Sequence, residues 1–343
     1  MAKLTSKEIA RLAGVSTSTV SIVLNDKLGV SEDTRNRIMD ILNQNGHKIV
    51  SKNTADLKGK MLQFCKIVKH GQIVNERHNT FISDYTDGII EEAKINHMNV
   101  GITIFNQESI SNIAESLKDR KGICGYIILS TELSENDIWD LNKINMPLVF
   151  LDAVYDFLPC NFITMDNAYM TSIMVRHLRD LGHKDMGLLY GEGCSNFAQR
   201  KLAFIHTMEQ LNLKVNKNWM LNVGSTIETV RENLSKHLVL KPKLPTAFFA
   251  CNDMIAIGAI EAFQHKKINI PEDISIGGFD DIPVTSFISP KLTTISVPKF
   301  EIGRMSVRAL VNKIRKGDEY LSQKSMLAGD IILRESTGPL LEL

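Results

Sequence analysis

Between Thr5 and Asn25 the chain reads TSKEIARLAGVSTSTVSIVLN. Its apolar residues recur three and four apart, first at Ile9, Ala10, Leu12 and Ala13, then at Val20, Val23 and Leu24. That spacing lines one face of a helix, so it predicts two short helices that bury these faces. Thr5 and Glu8 have the spacing of a capping box, and Leu4 and Ile9 that of a hydrophobic staple over it. Gly14 suits a left-handed C-terminal cap, Val15 fills the turn, and Ser16 can cap the second helix. Thr17, Ser18, Ser21 and Ile22 are left pointing outward. A third helix is expected from Asp33 to Asn45, capped by Ser31, with Glu32 and Asp33 at its positive end and Ile38, Ile41 and Leu42 inward. Two helices joined by a short glycine-containing turn, with an uncharged exposed tip, are the parts of a helix-turn-helix; a helical pair that only packs has the same pattern.

From about Met61 the period changes. LQFCKIV, NVGITIF, GYIILS, PLVFLD, MGLLY, TAFFA and ISIGGF are apolar runs that read as buried parallel strands. Amphipathic stretches such as FISDYTDGIIEEAKI and AYMTSIMVRHLRDLG lie between them. Strands alternating with helices predict doubly wound α/β domains, in two sets at roughly 61–162 and 163–290. Residues 291–343 should weave back through both. Ligands of such folds sit beyond the carboxyl ends of the strands, which points to a cleft between two lobes.

Composition narrows the class. The chain has 343 residues, 43% of them hydrophobic, enough for two or three domains with sizeable cores. No run approaches the length of a membrane helix, and the charged, amphipathic start does not read as a signal peptide, so a cytoplasmic protein is expected. Five cysteines without a CxxC pair suggest neither a disulfide framework nor a zinc site. The net charge of +1 hides an asymmetry: residues 1–60 hold ten Lys/Arg against six Asp/Glu, the remainder 30 against 33. A basic head on a mildly acidic body fits an electrostatic contact with nucleic acid. No GxxxxGK[ST], HExxH or GxSxG motif occurs; neither an enzyme nor a metal or cofactor is expected.

EIARLAGVSTSTVSIVLN, followed by VSEDTRNRI at 30–38, resembles the N-terminal signature of the LacI/GalR family of bacterial transcription regulators. The resemblance resumes at ITMDN, LGHKDMGLLYG, FFACNDMIAIGAIEAF, IPEDISIGGFDDIP, PKLTTISVP, EIGRMSVRAL and LRESTGP. It implies a helix-turn-helix head (1–46), a hinge linker (47–60) and an effector-binding and dimerisation core (61–343) of periplasmic-binding-protein type. Lobe one would comprise about 61–162 and 295–325, and lobe two about 163–294 and 326–343. It also implies a repressor that binds a pseudo-palindromic DNA operator as a homodimer. Asn25, Ser31 and Thr34 would hold phosphates, and Thr17, Ser18 and their neighbours would read bases; Thr5, Ser16, Ser21 and Ile22 complete the expected contact set. Where the family usually has arginine, this chain has Ile22, which can pack against a thymine methyl but cannot fork onto guanine. In the hinge, GHKIVSKNTADLKGK lacks the family's proline, and Leu57, the candidate minor-groove wedge, comes one residue late. A plain linker is the other reading of this stretch.

The resemblance also implies an effector site made of Arg200, Asn252 and Asp280, joined by Asp152 and Asn196. Such amides, carboxylates and a guanidinium suit sugar hydroxyls, which both donate and accept. Each has a bland alternative: a helix cap for Asn252, Asp280 or Asp281, and a surface ion pair for Arg200. Two departures bear on the ligand. KHGQIVNERHNTF at 69–81 is long and basic, with Lys69, His70, Arg77 and His78; it reads as a solvated loop or, more sharply, as selecting an effector with negative charge such as a sugar phosphate. VGST at 223–226 lacks the aromatic residue that many sugar-binding relatives have. The rival reading from another class is a sugar-binding protein of the same two-lobed fold without a DNA role.

Overall fold

The first three helices are α1 (Ser6–Ala13), α2 (Thr17–Leu24) and α3 (Glu32–Gln44). They belong to a computed structural model that describes residues 5–24, 29–44, 57–118, 120–240 and 243–340; Asn25 and the hinge stretch 47–56 lie outside the described residues. The chain divides into a head, 1–57 with 315–320, and a core, 58–314 with 321–343.

Local capping chemistry starts and stops the head helices. Thr5 and Glu8 form the full capping box: Glu8 accepts from the Thr5 N–H at 2.7 Å, and Thr5 Oγ1 accepts from the Glu8 N–H at 3.4 Å. Gly14 ends α1 at φ 66°, a conformation that L side chains rarely adopt. Ser16 accepts from the Thr19 N–H at 3.1 Å and Ser31 from that of Thr34 at 3.4 Å. Ile9, Ala10, Ala13, Val20, Val23, Ile38 and Leu42 form the small core, with Ile41 partly buried against it. Leu12, expected inward, is half exposed, because a helix of two turns presents only a narrow face to its neighbours.

The core alternates strands and helices: β1 (Met61–Val68), α4 (Asn79–Ile95), β2 (Asn99–Asn106), α5 (Ile110–Leu117), β3 (Ile123–Leu129), α6 (Glu135–Asn142), β4 (Leu148–Leu151), β5 (Phe162–Met165) and α7 (Asn167–Asp180). It continues as β6 (Met186–Tyr190), α8 (Ser195–Gln210), β7 (Met220–Asn222), α9 (Ile227–Leu240), β8 (Ala247–Ala250), α10 (Asp253–His265) and β9 (Ser275–Gly277). Last come β10 (Thr294–Ser296), α11 (Lys299–Lys316), β11 (Lys324–Leu327) and β12 (Asp330–Ile332). The first lobe is a parallel sheet in the order β2-β1-β3-β4-β5-β11, and the second is a parallel sheet in the order β7-β6-β8-β9. An antiparallel pair, β10 with β12, continues the second sheet through bridges from Gly277 to Thr293 and Asp280 to Ser296.

Pairing moves the lobe edges by a few residues from those expected. β5 joins the first sheet, so the first crossing falls after Met165 rather than at 162; β11 keeps residues to 327 there, and β10 lies with the second lobe. β2 also differs from expectation. It is an edge strand, and Ile102 and Ile104 on it are 53% and 60% exposed, so NVGITIF is not buried on both faces.

Helices α4 and α11 cross through Gly88 and Gly303. A Cβ on either glycine would overlap a backbone carbonyl of the other helix, that of Phe300 or of Tyr85. This close crossing seats Tyr85 and Lys299 beside the strand ends where the lobes meet.

Candidate functional site

Asp152 follows β4, Asn252 follows β8 and Asp280 follows β9; Asn196 and Arg200 lie one turn apart on α8. All five line one cavity between the lobes. The sheet topology brings them together, since every parallel strand points its carboxyl end at the cleft. The cavity is narrow, with a volume of about 30 Å³, and it is continuous with solvent.

Its polar groups bond one another in a chain that crosses between lobes. Asp152, buried at φ 66°, accepts from Tyr85 Oη at 2.8 Å and from Thr131 Oγ1 at 2.5 Å. Asn196 donates to the Asp152 carbonyl at 3.0 Å and accepts from Asn167 at 2.9 Å. Asn167 in turn accepts from Arg200 Nε at 2.8 Å. Arg200 Nη1 donates to the Cys251 carbonyl at 2.5 Å and lies 3.5 Å from Asp280 Oδ1, while the guanidinium sits 3.6 Å over the centre of the Phe279 ring. Arg200 is 3% exposed, which rules out the surface ion pair. Asn252 does cap its helix, accepting from the Ile255 N–H at 2.9 Å. Its amide nitrogen bonds no described protein group and is left for the cavity. Asp281 is engaged elsewhere, by Arg334 at 2.7 Å.

Asp280 stands at φ 119°, and Lys299 Nζ holds its carbonyl at 2.8 Å. Burial pushes its carboxyl up to about 7, against the pull of Arg200 and Lys299 and with a further push from Asp152. Burial also raises Asp152, opposed by its bonds from Thr131 and Tyr85. Asp253 is a second buried carboxyl beside Asp280; burial and that neighbour raise it, although Thr294 and the Ile282 N–H bond it. A carboxyl whose folded pKa exceeds its unfolded value keeps its proton longer when folded. Its stabilising contribution is therefore present below the ordinary 3.8 and is lost as pH rises through about 7. Asp280→Asn, which mimics the protonated form, should match the natural chain in melting temperature near about pH 3, below the ordinary carboxyl value, and exceed it by a growing margin up to about pH 7. A difference independent of pH would refute this.

The basic residues of 69–81 are mostly spoken for. Lys69 pairs with Asp137, and Arg77 makes two bonds to Glu228 at 3.0 and 2.6 Å. His70 Nε2 lies 3.1 Å from the Gly193 carbonyl. Only His78 of the four lines the cavity, and burial drives its pKa down to about 4, so it is neutral at pH 7. Sequence reasoning missed the apolar walls: Ile73, Val74, Phe81 and Phe197 line the cavity too. Phe197, directly after Asn196 on α8, was the one with a positional clue. In VGST, the Ser225 hydroxyl donates to the Gln72 carbonyl at 3.2 Å, and Thr226 accepts from the Thr229 N–H at 3.3 Å.

In the head, Thr17, Ser18 and Ser21 are exposed on α2, and Ile22 beside them is half-buried. Thr5, Ser16 and Ser31 are exposed and Thr34 is half-buried. Leu57 is buried, and a side chain that wedges into a groove must first leave such a place. No helix of the described residues is long and apolar enough to cross a membrane.

Residues 5–48 match the model of bacterial regulatory proteins of the lacI family, and 175–337 match a periplasmic binding protein-like domain. The chain is 31% identical over 331 residues to the HTH-type transcriptional repressor PurR of Histophilus somni (strain 2336), covering 92% of this chain and 94% of that protein. Among solved structures, the complex of the transcriptional regulator CelR with cellobiose has a TM-score of 0.72 at 18% identity, covering 97% of this chain and 99% of that one. The lac repressor dimer bound to operator and the anti-inducer ONPF has a TM-score of 0.70 at 22% identity, covering 98% and 100%. With its three-helix head, its two parallel-sheet lobes and this whole-length likeness, the chain belongs to the LacI family, as a non-enzymatic, DNA-binding transcriptional repressor with a ligand-binding core.

Proposed function

We propose that this repressor binds a pseudo-palindromic operator as a homodimer, and that a neutral, hydroxyl-bearing ligand of carbohydrate type in the interlobe cleft sets its operator affinity. The lining of the cleft carries the reading. Two carboxyls, one guanidinium and two amides converge there between apolar and aromatic walls, which suits hydroxyls presented on a partly apolar ring. Of the cations that favoured a phosphate, Lys69 and Arg77 are paired with Asp137 and Glu228, and His78, in the cavity lining, is neutral at pH 7, while Arg200 lies among Asp152, Asp280 and Asn167. CelR, alike in fold, is a complex with cellobiose. The exposed isoleucines of β2 offer apolar surface for a second copy.

Coupling of ligand to operator is typically worth about 1–3 kcal/mol. Calorimetric titration of the full-length protein with ribose, glucose and cellobiose, and with ribose 5-phosphate and glucose 6-phosphate, tests the ligand. A neutral sugar should bind, and its phosphate should bind at least about tenfold more weakly, because the anion would face two buried carboxyls. Tighter binding of a phosphate would reject the neutral class. Selection of duplexes from a random library should enrich a pseudo-palindrome; turnover of a sugar, or no enrichment with or without sugars, would reject the regulator reading.

A further inference from the structure

Glu132 lies just past β3 in the first lobe, with its side chain fully buried. Its carboxylate accepts five backbone N–H groups from one short stretch. Oε2 takes those of Lys69 at 2.9 Å, His70 at 2.9 Å and Gly71 at 3.0 Å, and Oε1 takes those of Ile73 and Val74 at 2.8 Å each. His70 Nδ1 is 3.2 Å from Oε1. Residues 69–75 belong to no helix or strand, so this carboxylate supplies the partner that regular structure would otherwise give their N–H groups. Bonds from N–H to an ionised oxygen are about twice as strong as neutral ones.

The same stretch does two further things. Ile73, Val74 and His78 wall the ligand cavity. Three groups reach the second lobe: His70 to the Gly193 carbonyl, the Gln72 carbonyl to Ser225, and Arg77 to Glu228. We infer that Glu132 is a positioning residue for the cleft: it folds 69–74 around its carboxylate and so holds 69–78 as a strap that ties the lobes together over the ligand cavity. The inference rests on reading that cavity as the effector site, but its test needs no ligand.

Cys194 is half-buried and lines both the cavity and the pocket beside Lys69, His70 and Gly193, so its exposure follows the strap, whereas Cys65 is buried in the core of the first lobe. Modification by N-ethylmaleimide in the full-length protein, followed by mass spectrometry of the peptides containing each, reads cleft opening against loss of fold. Glu132→Gln keeps the shape but turns one acceptor oxygen into a donor facing N–H groups. It should speed modification of Cys194 about tenfold or more, the factor expected from losing roughly one hydrogen bond's net worth, with Cys65 still protected. The double variant Arg77→Ala with Ser225→Ala cuts two of the strap's three far contacts, leaving that of His70 with Gly193, and keeps Glu132 and its donors intact; it should speed Cys194 in the same direction. If Cys194 is unchanged in both variants while Cys65 stays protected, the inference is overturned. If Glu132→Gln exposes Cys65 as well, the double variant decides: fast Cys194 with slow Cys65 upholds the strap, and unchanged Cys194 overturns it. A failure to bind any sugar would leave these rates as expected, so the two readings fail separately.

Discussion

Replacing Arg200 with leucine is expected to destabilise the two-lobed core by about 3–5 kcal/mol, the usual cost of removing one partner from a buried charged network. Arg200 is the cation inside a cluster that also holds Asp152 and Asp280, and all three are at least nine-tenths buried. Without it, Asn167 loses the donor to its Oδ1 and the Cys251 carbonyl loses its bond. Asp280 would then face Asp152 with only Lys299 near, and Lys299 bonds its carbonyl. Protonation of Asp280 offers partial relief, because burial already pushes its carboxyl up to about 7. The loss should therefore be larger near about pH 8 than near about pH 5. Arg200→Lys keeps the charge without the planar fork and should fall between. Urea denaturation at the two pH values measures all of this; a loss below about 1 kcal/mol for the leucine variant at either pH would show that the network does not work as a unit.

The second large effect concerns the head. Ile22→Arg should change which base pair is preferred at one position of each half-site, by about 1–3 kcal/mol per half-site. The exposed face of α2 carries Thr17, Ser18 and Ser21, all short and uncharged, with Ile22 half-buried beside them. An arginine there adds a flexible arm with a fork matched to guanine. The core of the head, which rests on Val20 and Val23 on the opposite side of the helix, stays as it was. Selection from a random duplex library with both proteins provides the measurement. Identical enriched sequences would mean that position 22 does not read a base.

The sequence made some levels legible because their determinants are local. Thr5 with Glu8, Gly14 and Ser16 act within a few residues, so the head helices could be read with ends right to within a residue. The long apolar runs around β1, β3, β4, β6 and β8 were equally plain. The short strands were not. β11 is four residues whose partner is β5, some 160 residues earlier, and Lys324 opposite Phe162 leaves no periodic trace. The site divides in the same way. Its five polar candidates stand at strand ends or at the start of a helix, where the fold must gather them. The charge of the 69–81 loop was only half legible, because a count of cations does not reveal that Asp137 and Glu228 meet Lys69 and Arg77 in space. Glu132 has no local signature at all: the five N–H groups it accepts come from residues about 60 positions earlier in the chain.

The nearly filled cleft has a kinetic consequence. A cavity of about 30 Å³ has no room for a ring-sized ligand, so binding one needs the lobes to part. Its capture rate is then the encounter rate multiplied by the fraction of molecules that are open, and its apparent affinity is lowered by the same fraction. Such a repressor would respond to a given rise in effector more slowly than a permanently open one, by the factor of that open fraction, and so would pass over a brief pulse.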